Sequence, residues 1–409
     1  MIHIGALRRL DAADPLRAFR DRFELPAGFI YLDGNSLGPS PKAAAGVVQR
    51  VVTSEWGEGL IRSWNDAGWI DAPRRIGGKI APLIGAKPSE VVVADSTSVN
   101  LFKLLAAAVT SSGRRLILTE PDDFPTDGYV AEGVARLIPG ARAVSVPRQH
   151  LAEALSDEVA VLLLSHVHYK TAQRHDMAAL TAAAHAAGAL AMWDLSHSVG
   201  AVRVDLNGCG ADLAVGCGYK FLNGGPGAPA FVFVAESRQE ALANPLSGWM
   251  GHAQPFAFEP RYRPADGVGR WLTGTPPILG LAALEAGVEL ALEPDIEAIE
   301  AKSAALFDLF ADLVGARLAG AGFALISPQA AAERGSHIAF RHQHGFAIMQ
   351  ALIARGVIGD FRDPDVLRFG LTPLYLSFED VWRAVDTLAE VMADESWRET
   401  PPRRPGQVT

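Results

Sequence analysis

The chain has 409 residues, of which 49% are hydrophobic and 20% charged, a composition that is typical of a globular protein and excludes an intrinsically disordered one. The formal net charge of −9 argues against a nucleic-acid-binding protein, and no run of basic residues offsets it. The two cysteines, Cys209 and Cys217, have neither a zinc-site nor a disulfide-framework spacing, so we expect no metal centre and a reducing compartment such as the cytoplasm. No apolar stretch reaches the roughly 18 residues of a membrane span, so we expect no membrane partner.

In chain order, the first predicted element is an amphipathic helix over residues 7–25, where apolar residues recur at helical spacing. The segment YLDGNSLGP follows as a short strand and a turn, and a helix then runs over 41–58. The turn could be structural only, or its residues Asn35 and Ser36 could fold over a cleft. We expect residues 1–58 to form an N-terminal segment that packs with a smaller domain and the cleft.

Three tryptophans, Trp56, Trp64 and Trp69, lie close together at the end of this segment and beyond it. Aromatic residues at this density usually belong to a core or an interface, but they can also form the wall of a ligand site. The sequence leaves both interpretations open.

The next motif, ADSTSVN, lies between a predicted strand at 91–94 and a predicted helix at 99–109. Hydroxyl and amide groups at a helix N-terminus form an anion site, which favours a phosphate bound at Thr97 and Ser98. An ordinary Ser/Thr helix cap is the alternative. The STS triplet also fits more than one register, so the choice among Ser96, Thr97 and Ser98 stays open.

From here the chain alternates strands with helices, and the main apolar strands are predicted at 91–94, 116–119, 159–165, 189–193 and 213–217. This alternation predicts an α/β fold with a mainly parallel central sheet and helices on both faces. Phe124 and Asp127 follow the second of these strands, and Ser165 ends the third. We assign residues 59–277 to a large ligand-binding domain that is built on this sheet.

Asp194 and Lys220, which are 26 residues apart (220 − 194), follow two of these strands. Such strand ends share one edge of a parallel sheet, where open α/β sheets bind ligands. The pair suits pyridoxal 5′-phosphate, because a lysine amine can form a Schiff base with the aldehyde and a carboxylate can keep the ring nitrogen protonated. The alternative is a solvated loop lysine and a helix-capping aspartate, but Tyr219 and Phe221 are poor neighbours for a solvated side chain.

After residue 235 the alternation ends, and a segment rich in Gly, Pro and aromatic residues follows. Two long helices are predicted at 278–293 and 295–320, and strands and helices mix beyond them. We therefore assign residues 278–409 to a smaller C-terminal α+β domain.

The order of a phosphate-binding helix, an aromatic residue, an aspartate and a lysine resembles that of the fold-type I pyridoxal-phosphate enzymes. Within that group the chain resembles the kynureninase family nearly from end to end. The segments that carry the resemblance are YLDGNSLGP, EWGEGLIRSWN, DDFPTD, DLSHSVGAV, GYKFLNGGPG, GWMGH, GTPPILGL and LRFGLTPLY. The fold type alone does not predict FPTD or GWMGH.

The resemblance implies a role for each matched residue. Lys220 would hold the cofactor, Asp194 would pair with its ring nitrogen, and Tyr219 beside the lysine is the candidate acid or base for later proton transfers. The residues that would bind the cofactor are Thr97, Ser98, Phe124, Asp127, Ser165, Asp194, His197, Tyr219, Lys220, Trp249 and Thr275. Those that would bind the substrate are Arg368, which suits an α-carboxylate, Ser36, Trp64 and Thr275.

The reaction that the resemblance implies is the hydrolysis of L-kynurenine to anthranilate and L-alanine, in the kynurenine pathway of tryptophan catabolism that also leads to NAD biosynthesis. Lys220 would remove the Cα proton, water would add to the γ-ketone, and the Cβ–Cγ bond would break. Trp249 and Thr275 match positions that come from a second subunit, which implies a homodimer with shared active sites. Members that favour 3-hydroxykynurenine carry His and Asn where this chain has Trp64 and Thr275, so that substrate is expected to be less favoured.

Two alternatives stay open on the sequence alone. An aminotransferase or a cysteine desulfurase of the same fold type would share the cofactor site, although Cys209 and Cys217 lie in or near buried strands rather than on a mobile loop. A regulator that binds the cofactor without turnover would need a DNA-binding domain, for which the first 25 residues are too short.

Overall fold

The computed structural model describes residues 3–399 and divides into two compact units. The small unit comprises Met1–Lys42, Lys170–Arg174 and Glu293–Thr409, and the large unit comprises Ala43–Tyr169 and His175–Leu292. The main boundaries thus follow residues 42 and 292, whereas the sequence predicts them after residues 58 and 277. Residues 1–2 and 400–409, which the predicted domains include, lie outside the described residues.

The described residues form thirteen β-strands in three sheets. In chain order the strands are β1 (Ile30–Tyr31), β2 (Val91–Val93), β3 (Leu116–Thr119), β4 (Arg142–Ser145), β5 (Val159–Ser165), β6 (Leu190–Asp194), β7 (Leu213–Gly216), β8 (Phe231–Val234), β9 (Ala324–Leu325), β10 (His337–Arg341), β11 (Val357–Ile358), β12 (Asp360–Arg362) and β13 (Val366–Gly370).

The same residues form thirteen α-helices, and none of these combines the length and the apolarity that a membrane span requires. In chain order the helices are α1 (Ile4–Ala13), α2 (Lys42–Arg50), α3 (Ser63–Asp66), α4 (Ala72–Ile80), α5 (Thr97–Ser111), α6 (Pro125–Leu137), α7 (Leu151–Ala154), α8 (Met177–Ala186), α9 (Leu206–Cys209), α10 (Ile278–Ala291), α11 (Ile296–Arg317), α12 (Gly345–Ala354) and α13 (Phe378–Ala393).

The large unit is built on a seven-stranded sheet of order β2-β8-β7-β6-β5-β3-β4. Strand β8 is antiparallel to β2 and β7, and all other neighbouring pairs are parallel, which confirms the predicted mainly parallel sheet. In the register, Ser165 pairs with Asp194, and Asp194 pairs with Val215. The carboxyl ends of β5, β6 and β7 therefore lie level at one edge of the sheet.

Both faces of this sheet are buried because its central strands are apolar on both sides. In β5, Leu162 belongs to the same buried cluster as Ile76 of α4, and the next residue, Leu163, belongs to another cluster with Leu104 of α5. Successive side chains of a strand point to opposite faces, so each face has its own helices. Such near-continuous apolar strands are typical of parallel sheets that are covered on both sides.

The small unit contains an antiparallel sheet of order β12-β13-β10-β9 and a separate parallel pair, β1 with β11. Together with α1, α11, α12 and α13, these strands confirm the predicted smaller α+β part. The register places Arg368 of β13 opposite Asp360 of β12 and Ala339 of β10. Arg368 therefore lies on an interior strand of this sheet.

The helix that the sequence predicts over 7–25 is interrupted. Helix α1 is followed by a 3₁₀ helix over Arg17–Arg22, and Asp14 between them is extended with ψ of 119°. The cause is Pro15, because a proline disfavours the helical conformation in the residue that precedes it. The apolar spacing continues across this break, which is why the pattern alone indicated one helix.

The helix predicted over 41–58 also changes character. It is α-helical in α2 and continues as a π-helix over Val51–Gly59. Leu60, directly after it, has φ of +52°, a backbone region that leucine rarely adopts. This segment has three apolar residues, Val51, Val52 and Trp56, which are too few for their spacing to distinguish a π-helix from an α-helix.

Candidate active site

Helix α5 begins where Ser96 caps it. The side-chain oxygen of Ser96 accepts a hydrogen bond from the backbone N–H of Val99 (3.4 Å), so Thr97 and Ser98 are the first residues of the helix. Thr97 and Ser98 line a cavity, whereas Ser96 does not. A helix N-terminus presents N–H donors and the positive end of its dipole, so this side of the cavity suits an anion such as phosphate.

The cavity encloses about 460 Å³, part of which is open to solvent. It brings together nine of the residues that the sequence predicts for a cofactor site: Thr97, Ser98, Phe124, Asp127, Ser165, Asp194, His197, Tyr219 and Lys220. These residues come from the start of α5, the start of α6 and the chain at and after the ends of β5, β6 and β7. This is the edge at which open α/β sheets bind ligands, and the sequence predicts a site there.

Lys220 follows β7 and is buried. Its Nζ lies 2.9 Å from Nε2 of His197, and it lies 5.7 Å and 5.9 Å from the ring centroids of Phe124 and Tyr219. Among the described residues that line the cavity, Lys220 is the only one with an amine. An amine that is held by an imidazole at hydrogen-bond distance can take up and release a proton, as a general base must.

Asp194 ends β6, and its side chain is buried. Its Oδ1 accepts a hydrogen bond from the backbone N–H of Ser196 (2.7 Å), and Oγ of Ser196 accepts one from the N–H of Cys217 (3.3 Å). Ser196 thereby ties the chain after β6 to the chain after β7. Burial raises the pKa of Asp194, and the hydrogen bonds from Ser196 and the charge of Lys220 oppose this rise.

Asp127 lies in the first turn of α6 and is buried. Neither of its carboxylate oxygens has a hydrogen-bond partner among residues 3–399. Burial, and then the charge of Asp194, raises the pKa of Asp127 well above its ordinary value. A buried carboxyl group without a partner is costly, and a ligand that brings a cationic N–H donor into the cavity relieves that cost.

These features fit pyridoxal 5′-phosphate. The start of α5 suits its phosphate, the amine of Lys220 suits its aldehyde, and the buried carboxyl groups of Asp127 and Asp194 suit a protonated ring nitrogen. Phe124 is 37% exposed, so part of its ring is open to contact with an aromatic ligand.

Asp123 is a further residue of this site that was not predicted from the sequence. Its Oδ1 accepts a hydrogen bond from the N–H of Phe124 (2.8 Å), and its Oδ2 accepts one from the N–H of Ser165 (2.7 Å). One carboxylate therefore joins the residue before α6 to the end of β5, and both of its partners line the cavity. The available signal was its position in DDFPTD, directly before the aromatic residue and next to a helix start.

Three predicted site residues of the large unit do not line this cavity in the described chain: Trp64, Trp249 and Thr275. Trp64 and Trp249 belong to an aromatic cluster in which their ring centroids are 6.0 Å apart, and Phe256 packs against both. Thr275 is exposed. The structure thus brings the two tryptophans together and leaves Thr275 apart from the cofactor-site residues of its own chain.

The remaining predicted site residues, Arg368 and Ser36, meet in the small unit. Nη2 of Arg368 donates to Oγ of Ser36 (2.8 Å), and Nε donates to Oδ1 of Asp360 (2.9 Å). Nη2 also contacts the other oxygen of Asp360, so the pair is bidentate. Burial would raise the pKa of Asp360, but the charge and hydrogen bonds of Arg368 outweigh it and lower that pKa to about 2.

Arg368, Ser36, Asp360 and Asp33 form one polar cluster. The carboxyl groups of Asp360 and Asp33 were not predicted from the sequence as site residues. Burial, and then the charge of Asp360, raises the pKa of Asp33 to about 7. The signal for Asp360 was its place in the apolar segment VIGDF, because a carboxylate within a buried strand needs a cationic partner. Asp33 carried no such signal, since DGNS is also an ordinary turn sequence.

Known proteins are similar to this chain over most of its length. A family model described as "Kynureninase C-terminal domain" matches residues 299–388. A protein from Burkholderia mallei (strain SAVP1) that is named kynureninase is 52% identical over 397 residues, which cover 95% of each chain.

Solved structures with the same fold include a cysteine desulfurase from Thermococcus onnurineus NA1, with a TM-score of 0.78 and 17% identity over 92% of this chain and 98% of that one. They also include a variant of a cystine C–S lyase with glycine covalently linked to its PLP cofactor, with a TM-score of 0.79 and 16% identity over 91% and 99% of the two chains. At these identities the similarity shows the fold alone, which is that of the fold-type I enzymes. The 52% identity over nearly the whole length shows the family, so the chain belongs to the kynureninase family.

Proposed function

We propose that this chain catalyses the pyridoxal-phosphate-dependent hydrolysis of L-kynurenine to anthranilate and L-alanine, a reaction of tryptophan catabolism. One observation carries the proposal: nine side chains that match the family's cofactor site line one cavity around the amine of Lys220. A reducing compartment such as the cytoplasm suits Cys209 and Cys217, which are both free thiols.

Different residues of the cavity would hold different parts of the cofactor. Thr97 and Ser98 would bind the phosphate at the start of α5, and the amine of Lys220 would hold the aldehyde. Asp194, with Asp127 beside it, would keep the ring nitrogen protonated. When bound, the cofactor supplies an electron sink for the negative charge that forms at the substrate Cα.

Lys220 moves the proton at the substrate Cα. Its Nζ is buried, which keeps bulk water away from the amine, and His197 at 2.9 Å orients it by a hydrogen bond. Tyr219 precedes Lys220 in the chain, and its ring lies 5.9 Å from Nζ. Its hydroxyl is our candidate for the later proton transfers at the substrate side chain.

Arg368 binds the α-carboxylate of the substrate. The family resemblance assigns this role to Arg368, and a planar guanidinium recognises a carboxylate better than a lysine ammonium does. Ser36 and Asp360 hold this guanidinium through hydrogen bonds within the same unit. Its direction is therefore set before substrate binds, which reduces the ordering cost of binding.

We also propose a homodimer in which Trp249 and Thr275 of one subunit complete the active site of the other. The family resemblance assigns this position to both residues, and exposed apolar side chains of the large unit support an interface. Ile61, Phe258 and Trp56 are 77%, 75% and 57% exposed. Exposed apolar side chains that lie together in one patch mark a surface that binds another protein.

Product analysis tests the proposed reaction. The purified protein with pyridoxal phosphate should convert L-kynurenine to equimolar anthranilate and L-alanine, and Lys220→Ala should not. Lys79→Ala is the matched control, because Lys79 forms ion pairs with Glu285 and Glu289 and does not line the cavity. A keto-acid product, or alanine from L-cysteine but not from L-kynurenine, contradicts the proposal.

A further inference from the structure

Helix α5 carries a lysine that the proposed mechanism does not use. Lys103 is 0% exposed, and it does not line the cavity. Lysine is almost never fully buried unless it is paired, because removing an ammonium from water is costly. A leucine at this position would avoid that cost, so the contacts of the ammonium need an explanation.

The ammonium of Lys103 has two partners. Its Nζ lies 2.7 Å from Oδ2 of Asp95 and 2.7 Å from the backbone oxygen of Trp271. Burial lowers the pKa of Lys103, and the charge and hydrogen bond of Asp95 oppose this change. The carboxylate of Asp95 is 30% exposed, so Asp95 would remain solvated without the lysine, whereas the lysine depends on Asp95.

Asp95 lies directly before Ser96, the N-cap of the helix that carries Lys103. Its φ is +45°, a left-handed conformation that non-glycine residues seldom adopt. Its backbone oxygen accepts a hydrogen bond from the N–H of Ala230 (2.9 Å), so both its main chain and its side chain are held. Thr97 and Ser98 follow two and three residues later, so their position depends on the conformation of this turn.

A second buried side chain of the same helix supports the turn in the same way. Nδ2 of Asn100 donates to the backbone oxygen of Ala94 (2.7 Å), and Asn100 is 0% exposed. Helical side chains lean toward the helix N-terminus, and residues three apart share a face. Asn100 and Lys103 therefore reach back from one face of α5 to the two residues that lead into it.

We propose that Lys103 is a positioning residue for the cofactor phosphate: through Asp95 it fixes the turn that places Thr97 and Ser98. The inference rests on the proposed function, since it assumes that the start of α5 binds the phosphate. The Lys103–Asp95 pair has no net charge, so its contribution comes from geometry and not from attraction of the anion. Loss of the pair should therefore weaken only ligands that carry a phosphate group.

The test compares pyridoxal phosphate with pyridoxal, which lacks the phosphate group. Both are titrated into cofactor-free protein, and the Kd is measured from the change in tryptophan fluorescence. Lys103→Met should raise the Kd for pyridoxal phosphate by about tenfold or more, the range found when a group that orients a binding residue is removed. The Kd for pyridoxal should stay close to that of the unsubstituted protein.

Leu104→Met is the matched control, because Leu104 is buried in the same helix and the exchange nearly conserves volume. It should leave both Kd values unchanged. Lys103→Met leaves the charge of Asp95 unpaired, and the double variant Lys103→Met with Asp95→Asn removes that charge. The double variant should bind pyridoxal phosphate as weakly as Lys103→Met alone, because two residues that act as one unit are not additive. Recovery of affinity in the double variant overturns the inference, because it shows that the unpaired charge caused the loss. If Lys103→Met does not fold, the double variant Lys103→Met with Asp95→Gly replaces it, because neither charge of the pair is then left unpaired and glycine adopts φ of +45° freely.

An unchanged Kd for pyridoxal phosphate in Lys103→Met overturns the inference, and so does an equal loss of affinity for both ligands. Failure of the proposed function is a separate result, in which the unsubstituted protein binds neither ligand. Binding of inorganic phosphate, measured by calorimetry, then decides the inference alone. If the unsubstituted protein binds inorganic phosphate and Lys103→Met binds it more weakly, the inference is supported. If the two proteins bind phosphate equally, or neither binds it, the inference is overturned.

Discussion

Nζ of Lys220 lies 2.9 Å from Nε2 of His197, and the sheet sets this distance. His197 follows β6 and Lys220 follows β7, and these are neighbouring parallel strands. The two side chains therefore meet at one edge of the sheet because the strands that precede them are paired. This contact places the only amine among the described cavity residues next to an imidazole that can orient it.

The first prediction is that Lys220→Ala removes the covalent cofactor link and lowers kcat by about a thousandfold or more, since it deletes both the linking amine and the general base. Borohydride reduction followed by peptide mapping locates the labelled lysine. The mapping should identify Lys220 in the unsubstituted protein and in the control variant Lys79→Ala. A label on another lysine contradicts the assignment of the whole centre.

The second prediction concerns Asp194→Asn. An amide cannot keep the ring nitrogen protonated, so kcat should fall by about a hundredfold or more, the size of effect that follows loss of one preorganised charge. Circular dichroism should show an unchanged fold. Asp212→Asn is the matched control: Asp212 is also buried but precedes β7, so its loss should lower Tm and leave kcat near the unsubstituted value. Near-normal turnover in Asp194→Asn shows that Asp194 is structural only.

Much of the cavity was predictable because its residues lie at the ends of elements that short sequence patterns reveal. Asp194 and Lys220 follow apolar runs, and Thr97 lies at a helix start, so local periodicity was enough to place them at one sheet edge. Asp360 and Lys103 were not predictable in this way. Strand register sets the partner of Asp360, and a turn with an unusual φ sets the partner of Lys103. Neither feature produces a periodic pattern in the sequence.

The third prediction tests the shared active sites. Lys220→Ala subunits are mixed with Thr275→Arg subunits, in which a bulky cation should block the partner's site. Half of the randomly exchanged dimers are mixed, and each has one intact site, so about a quarter of the unsubstituted activity should return. The control is the same mixture of the two variants under conditions in which the dimers do not exchange subunits. If exchange is demonstrated and no activity returns, the sites are not shared.

The fourth prediction is a pH dependence of stability. Because the pKa of Asp33 is raised from 3.8 to about 7, the folded state binds this proton more tightly than the unfolded state. Its contribution to stability therefore falls as pH rises across that interval. Asparagine does not titrate, so Asp33→Asn should raise Tm by about 3 °C or more at about pH 8 and leave it nearly unchanged at about pH 4.

Asp360 should show the opposite pH dependence of stability. Its pKa is lowered to about 2, so its contribution is present above its ordinary pKa of 3.8 and is lost as pH falls toward about 2. Asp360→Asn should therefore lower Tm at neutral pH, and the loss should shrink as the medium becomes more acidic. Tm differences that do not vary with pH in either variant contradict the description of this cluster.

The last prediction concerns the choice between L-kynurenine and 3-hydroxykynurenine, and it rests on the family resemblance at Trp64 and Thr275. Trp64 packs edge-on against Trp69 and Trp249, with ring centroids 6.1 Å and 6.0 Å apart, so its ring is held in place. A tryptophan fills space and offers one donor, whereas the histidine of the other members can both donate and accept. An added ring hydroxyl would then be buried without a full set of partners, which costs about 1–3 kcal/mol.

That cost corresponds to roughly 5- to 150-fold in kcat/KM, so L-kynurenine should be preferred by about this factor. Trp64→His combined with Thr275→Asn should move the ratio of the two kcat/KM values toward the hydroxylated substrate, because both changes add hydrogen-bonding groups where the hydroxyl would lie. Trp69→His is the control, since Trp69 packs beside Trp64 and is not among the matched positions. Equal or reversed preference in the unsubstituted protein rejects this description of the pocket and leaves the reaction itself untouched.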